Sequence, residues 1–164
     1  MKRPRIAVLA VALGLTGTVA LESLQRGRDV EAMTDAARNF LGSLSTAQRA
    51  QATFAFDSAE RSRHHFIPPE AFERHGFVYK DMNSEQKVRA QDLLRSGLSQ
   101  KGYLTAQQIM EVEGILGVLV EGEGRQFARD QEAYWVSVFG TPSTGGTWGW
   151  LQSRGAHYSR SMRL

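Results

Sequence analysis

The sequence predicts an α+β fold, about four helices followed by a short antiparallel β-hairpin, arranged as one domain that reads as the front half of a larger one. Three observations predict it. Apolar residues recur at three- and four-residue steps through most of the chain, capping signatures open those stretches, and the aromatic, β-branched run Tyr134–Phe139 is followed by turn residues. At 164 residues the chain is long enough to bury a core and short for two domains. Hydrophobic residues make up 41% and charged residues 23%, the usage of a folded rather than a disordered chain.

The first helix starts at Asp29, a residue suited to cap it, and Val30, Met33, Ala37, Phe40, Leu41 and Leu44 mark its buried face. Ser45-Thr46-Ala47-Gln48 has the form of a capping box, in which each side chain satisfies the other residue's backbone N–H; a second helix follows to about Phe56. Between Asp57 and Asp81 the periodicity fails, and Pro68-Pro69 forbids a continuing helix because neither residue can donate a backbone hydrogen bond. This segment is a long loop or a short strand pair. Loops of that length are often functional, which singles out His64, His65, Phe66, Arg74, His75 and Tyr79.

Asn83 with Gln86 three residues on opens the third helix, whose stripe is Ala90, Leu93, Leu94 and Leu98, with Gly97 at its end. Thr105-Ala106-Gln107-Gln108 reads as another capping box, opening a fourth helix with Ile109, Val112, Leu116, Leu119 and Val120 toward the core. Gly122 and Gly124 stop it. The strand Tyr134–Phe139 then ends at Gly140-Thr141-Pro142, Gly145-Gly146-Thr147 makes a turn, and Thr147 to Trp150 begins the return strand.

The N-terminus carries an address. Met-Lys-Arg-Pro-Arg precedes an uncharged, largely apolar run from Ile6 to Leu21, the layout of an export signal, with small residues at Thr18-Val19-Ala20 for a cut after Ala20. The run is short for a membrane span, so cleavage is the expectation and an uncleaved anchor the alternative. Domain organisation follows: signal 1–20, linker 21–28, folded domain 29–164. Removing residues 1–20 takes away Lys2, Arg3 and Arg5 and no acid, leaving 17 basic residues against 17 acidic. The basic pI of the whole chain is therefore partly that of its address, and no nucleic-acid partner is expected. The chain has no cysteine, which excludes disulfides, thiolate catalysis and Cys-ligated metals. An exported protein without disulfides fits a periplasm or an extracellular location around bacteria.

Several residues carry candidate chemistry. His64 or His65 with His157 form a weak candidate metal site, since adjacent histidines on a strand point opposite ways and no His-x-x-x-His spacing is present. Solvated or hydrogen-bonded structural histidines are the plainer reading. No Gly-x-Ser-x-Gly or Ser-x-x-Lys motif occurs. Glu113 lies near an apolar face, where a carboxylate serves as a general base or, more simply, as a buried partner for Arg129. Trp148 and Trp150, two apart on a strand, share one face beside Gly145 and Gly146 and form either a stacking platform or plain core, with Tyr134 and Arg129 as further candidate binding residues.

The ordered set His64–Phe66–Pro68, Arg74-His75-Gly76, Lys80-Asp81-Met82, Gln86, Leu93-Leu94, Gly102-Tyr103, Met110, Glu113, Arg129-Asp130, Tyr134, Phe139-Gly140-Thr141-Pro142 and Trp148-Gly149-Trp150 resembles the bacterial family catalogued as domain of unknown function 3500. The resemblance covers roughly Ala32 to Trp150. It implies an export signal, which members commonly carry, and no established activity. Members continue past Trp-Gly-Trp into a Gly-His-His segment and a strand-rich second half, whereas Gly155-Ala156-His157 stands here and the chain ends at Leu164. The resemblance thus implies the front part of a longer protein.

The expected function is an exported accessory or small-ligand-binding domain. The alternatives are an extracytoplasmic hydrolase, metal-dependent or not, with a site around His64, His65, Arg74, Glu113 and the Trp148–Trp150 hairpin, and a truncated inactive paralogue. No cofactor is expected, and a divalent metal belongs only to the hydrolase alternative. The expected partner is a small ligand or an envelope component. The membrane is met only through the signal segment if it stays uncleaved. Convergence of the candidate side chains in one pocket favours the enzyme, and their dispersal the binding domain.

Overall fold

Helix α1, residues 28–43, buries Met33, Ala37 and Phe40 at the steps expected of one face, with Thr34 beside them and Leu44 just past its end. A computed structural model describes residues 28–63, 71–119, 129–154 and 159–161. The signal and most of the linker, His64, His65, Phe66, Pro68-Pro69, Val120 with the two glycines after it, and His157 lie outside the described residues. Arg28 and Asp29 are already helical, so Asp29 sits within α1 rather than capping it. Burying Phe40 completely contributes on the order of 2 kcal/mol.

Helix α2, Thr46–Ala52, opens with the expected capping box: Ser45 Oγ accepts the Gln48 N–H and Gln48 Oε1 accepts the Ser45 N–H. It ends four residues before Phe56. Thr53–Phe54 form strand β1 instead, because a parallel pairing with a strand far along the chain claims their backbone groups. The aperiodic stretch that follows holds a 3₁₀ turn at Ala59–Ser62, the two-residue strand β2 at Phe77–Val78 and a second 3₁₀ turn at Tyr79–Asp81.

Helix α3, Ser84–Ser96, carries the Asn83/Gln86 capping box and buries Gln86, Ala90, Leu93 and Leu94, with Gly97 as its C-cap. Helix α4, Gln100–Leu119, departs from expectation at both ends. Its start is five residues earlier than Thr105. Ser99 provides the cap, its Oγ accepting the Gly102 N–H at 3.1 Å, while Thr105 Oγ1 donates back to Lys101 O as an interior residue does. Its buried residues are Tyr103, Met110 and Glu113, whereas Val112, Ile115, Val118 and Leu119 are exposed. No described helix is long and apolar enough to cross a membrane.

Strand β3, Tyr134–Phe139, is where predicted and forms the centre of a five-stranded sheet. Strand β4, Gly149–Arg154, runs antiparallel to it as the expected hairpin, and β5, Ser159–Ser161, pairs with β4. The other edge of β3 is shared: β2 pairs with Val136 and Trp135, and β1 with Val138 and Phe139. Four helices against a small mixed sheet make the α+β architecture the sequence implied. One core joins α1, α3, Tyr103, Val136, Val138, Trp148 and Trp150.

Two glycines fix the chain's path around this sheet. Gly76 has φ +122° and a Cβ there would lie 2.5 Å from Ser137 Oγ and 2.9 Å from Val136 O; Gly140 has φ +77° and faces Thr147 O at 2.9 Å. Both backbone conformations disfavour a side chain, and both sites lack the room for one.

Candidate ligand cavity

Side chains alternate along a strand, so Tyr134, Val136 and Val138 share one face of β3. The register sets Val138 opposite Trp150 and Val136 opposite Gln152, which puts Trp150 and Gln152 on that same face. Near Val138 the face is covered by the core. Toward Tyr134 the cover stands off, leaving a cavity of about 350 Å³ between the sheet and the pair α3–α4. Leu94 from α3, Leu98 just after it, Ala106, Ile109 and Met110 from α4, and Tyr134 and Trp150 from the sheet form its largely apolar wall. Ser99, Lys101, Gly102 and Thr105 from the start of α4, with Gln152, supply the remaining lining.

The aromatic floor is held rigidly. Trp150 is 4% exposed and its indole N–H donates to Met33 Sδ at 3.3 Å, which ties the floor to α1. Trp148 is completely buried, and its N–H donates to Ser143 O at 3.0 Å. The two indoles, paired in the sequence reading, thus separate: Trp150 borders the cavity and Trp148 does not. Gln152 Nε2 reaches Met110 Sδ at 3.9 Å, a weak contact.

The other candidate residues stand elsewhere. Glu113, buried, meets Arg129, whose Nη1 lies 3.3 and 3.2 Å from the two carboxylate oxygens. Neither lines the cavity; Arg129 borders an open hollow with Ile115 and Val118. Arg74 belongs to a third place. Its guanidinium lies 4.8 Å over the Phe72 ring, with that of Arg63 at 4.4 Å, and burial first, then the Arg63 charge, lowers the Arg74 pKa. Beside it Glu60 gathers His75 at 2.9 Å and Arg63 at 3.3 Å, and Glu73 reaches His75 Nε2 at 3.5 Å. Among the described residues no three acidic or histidine side chains converge to hold a metal ion.

Sequence reasoning named Tyr134 and Trp150 but missed Lys101, Ser99, Gly102 and Gln152. Gln152 had a usable signal, since it continues the two-residue alternation that begins at Trp148. The residues at the start of α4 had none, because the helix was expected to begin after them.

Fold and cavity together define an α+β domain with a preformed apolar pocket between a helical layer and a small sheet. Over residues 26–164 the chain matches the family model described as Protein of unknown function (DUF3500), and it belongs to that family. No curated protein and no solved structure matches it.

Proposed function

We propose that this chain is an exported accessory domain that binds a small, largely apolar ligand between the sheet and α3–α4. One observation carries the reading: a cavity of about 350 Å³ with a wall of aromatic and aliphatic side chains and a few polar groups at one end. Ligand sites of folded proteins have this size and composition, about 300–1,000 Å³ and mostly apolar. The dispersal of Arg74, Glu113 and Trp148 away from the cavity favours binding over hydrolysis, since a hydrolytic site needs its acid, base and orienting groups within hydrogen-bond reach. Export rests on the basic start and the uncharged run Ile6–Leu21.

Titration with naphthalene, followed by the indole N–H resonances, tests the reading. Trp150 lines the cavity and its signal moves, while that of Trp148, donated to Ser143 O, stays in place. Ala106→Trp fills the cavity and abolishes the shift, with the unmoved Trp148 signal reporting an intact fold. A Trp150 resonance indifferent to naphthalene sinks the proposal.

A further inference from the structure

We infer that the cavity selects a monoanionic amphiphile, a compact ring or short hydrocarbon body carrying one carboxylate that docks at Lys101. The inference rests on the ligand-binding reading above and specifies its ligand. Of the residues that line the cavity, Lys101 alone carries a formal charge at neutral pH, and no acidic side chain joins it. The described lysines differ in a telling way. Lys80 is paired with Asp130 at 2.8 Å and Lys87 with Glu132 at 2.5 Å, whereas Lys101 has no carboxylate within 4 Å among the described residues.

The neighbours of Lys101 extend the same chemistry. Ser99 Oγ accepts the Gly102 N–H, so the hydroxyl proton is left to donate outward. Thr105 Oγ1 has its proton committed to Lys101 O, and the backbone there is helical. This end of the cavity therefore presents a cation and a donor, which match a carboxylate and mismatch an ammonium group. The opposite wall, Met110, Tyr134 and Trp150, is apolar except for the Tyr134 hydroxyl and the Gln152 amide, too sparse in polar partners for a sugar or a peptide backbone. Ligand charge thus belongs at one end and hydrocarbon at the other.

The test compares 2-naphthoate with 2-naphthamide, which matches it in shape and lacks the charge, by calorimetry on the full chain and on Lys101→Met. Lys101 is exposed, and methionine keeps its apolar stem, so the fold is retained. The wild type binds the naphthoate about fivefold more tightly than the amide, the weight of a partly solvated ion pair. In Lys101→Met that preference disappears through weaker naphthoate binding, and added salt erodes it in the wild type only. Equal affinity for the two probes in the wild type, or a preference that survives Lys101→Met, overturns the anionic assignment and leaves the apolar cavity reading standing. Failure of both probes together with an unmoved Trp150 resonance under naphthalene overturns both.

Discussion

Gln86 Nε2 donates to Gln48 Oε1 at 2.9 Å, and the same oxygen accepts the Ser45 backbone N–H at 2.9 Å, so a hydrogen bond links the capping boxes of α2 and α3. Gln86 also donates to Ser43 O at 3.0 Å and accepts the Asn83 N–H with its own oxygen. A side chain that caps its own helix therefore also joins it to the end of α1 and the start of α2.

Replacing Gln86 by leucine removes the three side-chain bonds of Gln86 at a site only 3% exposed. The expected loss is about 2 kcal/mol, that of a helix cap plus a part-buried carbonyl left without its side-chain donor. Gln86→Glu keeps the acceptor for the Asn83 N–H but turns a carboxylate toward two oxygens, so its loss is larger at neutral pH than in acid. Urea denaturation of both variants reads these differences, and a Gln86→Leu midpoint equal to wild type refutes the linking role.

The local part of this arrangement was legible in the sequence and the long-range part was not. Each capping box is a four-residue signal, and Ser45, Asn83 and their partners behave as their spacing implied. The same rule misread Thr105-Ala106-Gln107-Gln108, because a helix interior satisfies the threonine hydroxyl and the earlier Ser99 serves as cap. The buried face of α4 was misassigned for another reason. Apolar residues surround that helix, from Leu104 to Leu119, so periodicity cannot choose a side, and packing turned Tyr103, Met110 and Glu113 inward. The shortening of α2 and the strand at Phe77–Val78 both depend on β3, far along the chain. Of the cavity, Tyr134 and Trp150 were visible as aromatic strand residues; Lys101 was not, since its place depends on where α4 starts.

The Glu113–Arg129 pair gives a second expectation. Arg129→Met takes the facing cation from a carboxylate that is 5% exposed, and it lowers stability at neutral pH by about 1–3 kcal/mol, less than a fully buried pair because Arg129 itself is about one-third exposed. Adding Glu113→Leu removes the buried charge and recovers part of the loss. A double-mutant cycle by thermal or chemical unfolding measures the coupling, and strict additivity contradicts a functional ion pair.

Gly76→Ala is expected to destabilise by about 2 kcal/mol or more, through both the positive φ and the contact with Val136 O. Ser137→Ala in the same chain does not restore it, since the backbone oxygen at 2.9 Å remains. Gly145→Ala, whose added Cβ meets nothing within 4 Å, is the matched control with little change. Comparable melting temperatures for the two alanine variants dismiss the strain argument.

Lys80 provides a pH signature. The hydrogen bond from its ammonium to Asp130, then the charge of Asp130, raises its pKa above the ordinary lysine value. A raised folded-state pKa stabilises fully below the unfolded value and loses that contribution as pH climbs through the folded one. The difference in Tm between wild type and Lys80→Met is therefore constant and small across neutral pH, and closes only in strong alkali. A difference that instead closes between pH 5 and 8 assigns the effect to another group.

The shared edge of β3 has a kinetic consequence. Among the described residues the strand partner of Thr53 is Val138 and that of Phe77 is Val136, so both early strands wait for Tyr134–Phe139 to be synthesised. Closing such wide loops costs entropy before any pairing repays it, which makes folding slow and late. The helices rest on local hydrogen bonds and form early, whereas the sheet waits for a strand that lies in the last fifth of the chain.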